Sequence, residues 1–210
     1  MFTLIKREIE DNIAYFLAAV VFTTILAAMA IAAYYEDFQG RSIERFQIIS
    51  SWVIIIGCLA GACVMGVTQM RGDRNKKVSS FLATLAVTRS RLLTARIIAG
   101  ILAILTLLLP MAIINGVFMS RNLSYIPNIT GMLVKVFAIL LLLSFACYCL
   151  GLQIGWSSSR IAALAALLLA GVLIWLVVIK GFGTETIVIL GMFIAASLLR
   201  ISQKFISTPL

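Results

Sequence analysis

Stretches of about twenty residues with almost no charged side chain recur along the whole chain, and each is long enough to cross a hydrocarbon core as a helix. They run Ile13 to Tyr35, Ile48 to Met70, Ile97 to Phe118, Met132 to Trp156 and Ile161 to Ile179. A sixth, Thr186 to Ile201, lies at the lower edge of the usual ~17 to 25 residues, so it crosses with little tilt or is extended by Phe182. With 62% hydrophobic and 12% charged residues and a mean hydropathy of +1.12, nothing is left over for a separate soluble domain. The expectation is one all-α polytopic domain over residues 1–210. The acidic Glu8, Glu10 and Asp11, and an apolar run longer than the ~7 to 15 residues of a signal-peptide core, argue for an uncleaved first helix.

Six spans place both termini on one side, and Lys and Arg choose which. With the N-terminus inside, Lys6, Arg7, Arg71, Arg74, Lys76, Lys77, Arg89, Arg91, Arg96, Arg160, Arg200 and Lys204 are cytoplasmic, against Arg41, Arg45, Arg121, Lys135 and Lys180 outside. That bias predicts a multi-pass protein of the plasma (inner) membrane with both termini cytoplasmic. The net charge of +9 is thereby a membrane-flank signature rather than a nucleic-acid footprint.

Catalysis has few candidates. The chain has no His, which removes Ser-His, Cys-His and His-metal arrangements. Its eight acidic residues flank the apolar runs, and no Gly-rich Walker-type loop is present. Cys58, Cys63, Cys147 and Cys149 lie inside apolar runs without metal-ligand spacing and are expected to be free structural thiols. The expectation is a protein that is not itself an enzyme, with no catalytic residue, cofactor or metal site.

The external links are short, whereas Arg71 to Arg96 is the one sizeable segment expected to face the cytoplasm. Within it Val78, Phe81, Leu82 and Leu85 fall at i, i+3, i+4 and i+7, which predicts an amphipathic helix. Such a helix either lies on anionic lipid or inserts its apolar ridge into a groove on a soluble partner.

The order Phe81, Leu82, Leu85, Val87, Thr88 and Arg89, followed by Leu93, Ala95 and Arg96 between the second and third spans, resembles the coupling segment of ABC-2 transporter permeases. Ala86 stands where that family commonly has Pro, and Gly72 and Lys77, on either side of Asp73, stand where acidic residues are often found upstream. The resemblance implies a permease, an exporter in type, that works as a homodimer or heterodimer with two copies of a separate ATP-binding subunit. It also implies that Arg74, Lys76, Lys77, Val78, Phe81, Leu82, Leu85 and Arg89 contact that ATPase, and that a short amphipathic helix precedes the first span. Phe2, Ile5, Ile9 and Ile13 have the helical spacing for such a start.

Two G-x-x-x-G pairs, Gly57 with Gly61 and Gly151 with Gly155, allow close helix approach, within one subunit or between two. Pro110 is expected to bend the third span, as a tolerated kink or a gating hinge. Asn115 and Gln153 are the candidate lining of a substrate route, whereas Thr23, Thr24 and Ser144 have hydroxyls that bond their own helix as readily. Two other classes fit the layout: a substrate-binding membrane subunit of a vitamin-uptake complex, for which the long basic link is unexplained, and a non-transporting membrane scaffold.

Overall fold

The computed structural model describes residues 2–37, 44–76, 89–122, 129–156, 160–181 and 183–207, which are helical almost throughout and contain no strand. In chain order the helices are α1 (Phe2–Asp11), α2 (Ile13–Asp37), α3 (Glu44–Lys76), α4 (Arg89–Asn122), α5 (Ile129–Trp156), α6 (Arg160–Lys180) and α7 (Thr184–Ser207). Helix suits such apolar runs because it satisfies every interior backbone N–H and C=O within the segment.

Three stretches are long and apolar enough to cross a membrane by length and composition: Arg91–Pro110 in α4, Gly131–Trp156 in α5 and Thr184–Gln203 in α7. Shorter apolar stretches, Ile13–Ile25, Ile55–Arg71 and Leu164–Lys180, lie in α2, α3 and α6. The described residues are thus an all-helical array compatible with membrane insertion.

Several helices outrun the boundaries expected from hydropathy. α3 continues past Met70 to Lys76, and α4 is already helical at Arg89, well before Ile97. Residues 71–76 and 89–96 thus continue long helices, and the middle of the expected coupling segment, 77–88, lies outside the described residues. Arg and Lys are good helix formers, and extending an existing helix adds a backbone bond for each residue fixed without a new nucleation cost. α7 likewise runs from Thr184 to Ser207, so the sixth apolar stretch belongs to a full-length helix. α4 passes through Pro110 with helix on both sides.

α3 and α5 form the central pair, and glycines bring their backbones together. A Cβ on Gly66 would meet the Tyr148 carbonyl and, at 2.8 Å, the Leu152 nitrogen. One on Gly151 would strike the Cys63 carbonyl, and one on Gly155 would come within 2.8 Å of the Val67 carbonyl. Close backbone approach increases van der Waals contact, the attraction that remains between helices when the surroundings are as apolar as their side chains. The Gly151 and Gly155 pair thus packs within the chain. Gly57 faces the Phe22 ring and Gly61 the Tyr15 hydroxyl, both on α2.

α5 divides the core. Tyr148, Cys149 and Leu152 join Ala62, Met65, Leu93 and Ala103 in a cluster shared with α2, α3 and α4. Ile139, Leu143, Ala146, Cys147 and Leu150 join Leu59, Ala166, Leu173, Leu190 and Ile194 in a second cluster with α3, α6 and α7. All four cysteines are free, with Cys58, Cys147 and Cys149 buried.

The α6–α7 turn is closed by Gly181 at φ 68°, a left-handed conformation in which Gly carries no Cβ penalty. Its N–H donates to the Val177 carbonyl at 3.0 Å, and its own carbonyl accepts from the Thr186 hydroxyl at 2.9 Å. α6 leaves Leu164, Leu167, Leu168, Val172, Trp175 and Val178 exposed, a surface that suits lipid better than water.

Candidate functional site

The polar groups that the fold gathers lie at one end of the bundle, where α1, the start of α4 and the ends of α3, α5 and α7 meet. α1 is a surface helix with a charged outer face, on which Lys6 and Arg7 reach Glu10 and Asp11 four residues on, at 3.9 and 3.8 Å. Asn12 ends it: its backbone N–H and its side-chain amide both donate to the Glu8 carbonyl, at 3.2 and 2.8 Å. α2 begins at the next residue, so α1 is turned back against α4 by a single-residue junction.

Glu8 points inward from α1 and meets Arg96 on α4, with Nε donating to Oε1 at 3.3 Å. The Arg96 side chain is only 2% exposed and that of Glu8 14%, so the pair is shielded from water. An arginine this deeply buried needs such a partner, because an isolated charge out of water costs several kcal/mol or more. Arg96 Nη1 also approaches the Met70 sulfur at 3.7 Å.

The Tyr148 hydroxyl, from α5, lies 2.6 Å from Gln69 Oε1 and 3.0 Å from the backbone carbonyl of Arg96. One hydroxyl proton cannot serve both acceptors. The Gln69 Nε2 meets no acceptor among the described residues, which leaves the amide underused in a buried position. Gly100 makes room for this arrangement, since a Cβ there would run into the Tyr148 ring. The result is a polar link across four helices: Glu8 of α1, Arg96 of α4, Tyr148 of α5 and Gln69 of α3.

Next to this link is a cavity of about 280 Å³, lined by Met70, Gln153, Trp156, Ala165, Leu169 and Arg200 among others. Met70 belongs to both features, facing Arg96 and walling the cavity. Arg200 makes no hydrogen bond or ion pair with another described residue, and the same holds for Gln153.

Of the residues expected to couple to an ATPase, Lys77, Val78, Phe81, Leu82 and Leu85 lie outside the described residues. Arg74 and Lys76 belong to the last turns of α3 and Arg89 to the start of α4, which brings them to the end of the bundle that carries the polar link. Asn115 lies on α4 beyond Pro110 with its side chain outside the described set, whereas Gln153 lies near the end of α5 and lines this cavity. Thr23 and Thr24 both donate to the Val20 carbonyl of their own helix, at 2.9 and 2.7 Å. Ser144 is buried without a partner among the described residues. Phe2 and Ile5 carry side chains outside the described set, Ile9 is half-buried and Ile13 is exposed, while Leu4 and Glu8 turn inward.

Sequence reasoning treated Glu8, Arg96 and Arg200 as flanking charges, with Arg96 also closing the coupling motif, and passed over Gln69 and Tyr148. A signal was present: Gly66 and Gly100 are the small residues that admit the α5 backbone and the Tyr148 ring. Among the described residues no three His, Cys, Asp or Glu side chains gather as a metal site would require. Compared with known proteins, the chain matches no family model, no curated protein and no solved structure.

Proposed function

We propose that the chain is the membrane-spanning permease subunit of an ATP-driven exporter of the ABC-2 type, in which α2 to α7 cross the bilayer and both termini are cytoplasmic. The observation that supports this reading best is the buried Glu8–Arg96 pair, which ties the N-terminal surface helix to the start of α4. The segment 77–88 leads directly into that helix. A force applied to the segment by a partner therefore has a rigid route into α4, and through Arg96 and Tyr148 into α1, α3 and α5.

In this mechanism two ATPase subunits close on ATP and displace the Phe81, Leu82 and Leu85 ridge, with Arg74, Lys76, Lys77, Val78 and Arg89 around it. The helices attached to the segment rock, and a paired permease, identical or related, completes the pathway. Gln153 lies at the cytoplasmic end of that pathway and Asn115 farther along α4. ATP is hydrolysed in the partner, because this chain carries no phosphate-cradling Gly-rich loop.

The test is co-purification with the cognate Walker-motif ATPase. Leu82→Asp places a charge in the proposed apolar contact and is expected to weaken the complex by ~2 to 4 kcal/mol while the permease still inserts. If the segment lies on lipid instead, neutralising Arg74, Lys76 and Lys77 detaches it and Leu82→Asp leaves ATPase recovery unchanged. That second result overturns the coupling role.

A further inference from the structure

The cavity beside the polar link has two kinds of wall. Leu152, Leu169, Ile201 and the methyls of Ala165 and Ala166 are apolar, while Arg200 and Gln153 bring a fixed cation and an amide to the same space. At about 280 Å³ it falls just below the ~300 to 1,000 Å³ typical of small-molecule pockets, enough for a headgroup and its glycerol but not for two acyl chains. Leu169 is itself half-exposed and its α6 neighbour Leu168 is exposed, so an apolar surface on the same helix is open to chains that do not fit inside.

Charge at this end is unbalanced in one direction. The described acidic side chains of α1 are already engaged: Glu8 with Arg96, Glu10 with Lys6 and Asp11 with Arg7. Arg71, Arg91 and Arg200 have no carboxylate partner among the described residues, and Arg200 lines this cavity. A guanidinium at the mouth of an apolar pocket favours a phosphate, which accepts two parallel N–H bonds from it. Trp156, at the last position of α5, adds an indole of the kind that sits at the level of lipid headgroups.

We propose that the cavity between α5, α6 and α7 is a site for one anionic glycerophospholipid, with its phosphate on Arg200 and Gln153 and its glycerol end against Leu152, Leu169 and Ile201. The lipid fills the groove between the two outer helices and the central pair. Because Met70 separates it from Arg96 by one side chain, lipid occupancy braces the end of the bundle that holds the polar link. The site rests on the reading that these helices lie in a bilayer.

The experiment uses the full-length chain, delipidated in non-ionic detergent and titrated with dioleoylphosphatidylglycerol under native mass spectrometry. One phosphatidylglycerol per chain is expected to be retained, with dioleoylphosphatidylcholine held more weakly. Arg200→Gln is expected to lower retention about tenfold, the order of one charge-assisted contact. Arg91→Gln, which removes an exposed charge from the same end, should leave it unchanged. Ala165→Trp fills the cavity with Arg200 intact and should likewise lower retention at least about tenfold, and the helical content of both Arg200→Gln and Ala165→Trp is followed by circular dichroism.

Equal retention by Arg200→Gln and wild type overturns the site, as does equal loss with Arg91→Gln, which would mean diffuse attraction. Equal binding of phosphatidylcholine overturns the anionic selectivity, and competition by inorganic phosphate at matched concentration overturns the lipid assignment. A chain that stays in the carbonate-washed membrane pellet yet retains no lipid sinks this site alone. A chain released by carbonate sinks the membrane reading with it.

Discussion

Two ion pairs join separate helices at opposite ends of the bundle, and they resemble each other only in distance. Lys180 and Glu185 close the α6–α7 turn at 3.1 Å, with side chains 53% and 71% exposed. Arg96 and Glu8 are slightly farther apart at 3.3 Å, with side chains 2% and 14% exposed. The shorter pair is the weaker contributor. In water the Coulomb gain is screened and two long side chains must be held still, whereas in a buried setting losing one partner strands the other charge. The first decorates a turn that Gly181 already closes; the second fixes where α1 sits.

This contrast is broken most directly at Glu8. Glu8→Ala takes the carboxylate from a buried arginine and is expected to cost about 3 kcal/mol, read as a lower thermal unfolding midpoint of the purified chain in detergent. It should also loosen α1, so that trypsin cuts faster after Lys6 and Arg7. A shift no larger than that of Glu185→Ala would show that burial does not separate the two pairs.

A smaller effect is expected at Tyr148, which carries no charge and whose hydroxyl lies between the Gln69 amide oxygen and the Arg96 carbonyl. Tyr148→Phe keeps the ring against Gly100 and removes only the hydroxyl, so the loss should be about 1 to 2 kcal/mol in the same unfolding assay. No loss at all would mean that Gln69 and the Arg96 carbonyl find other partners at no cost. The smallest change is at the far end: Glu185→Ala should stay within about 0.5 kcal/mol of wild type, and added salt should leave the wild-type midpoint nearly where it was. A drop of several kcal/mol there would reverse the comparison.

Much of the helix pattern was legible because uncharged runs of this length have few other ways to satisfy their backbones. The ends were less legible. Hydropathy stops at Met70 and resumes at Ile97, but α3 runs on to Lys76 and α4 has begun by Arg89, since Arg71, Arg74, Lys76, Arg89 and Arg91 continue a helix well without being apolar. A short helical start was expected from the spacing of Phe2, Ile5, Ile9 and Ile13, but Ile13 falls on α2 and is exposed, and the residue that anchors α1 is the acidic Glu8. A carboxylate beside a basic flank reads as solvated until its partner, 88 residues away, is brought to it.

The sequence by itself determined that this is a chain of apolar helices with its basic residues gathered mainly at their ends, because hydropathy and charge are local properties of each run. It could not say that Arg96 is buried while Lys180 is exposed, or that α5 lies at the centre and the equally apolar α6 outside. Those differences arise from close approach between helices: Gly66, Gly151 and Gly155 let α3 and α5 touch backbone to backbone, and Gly100 admits the Tyr148 ring. Only the tertiary structure decides them, because a missing Cβ has meaning only when another helix occupies the space it leaves.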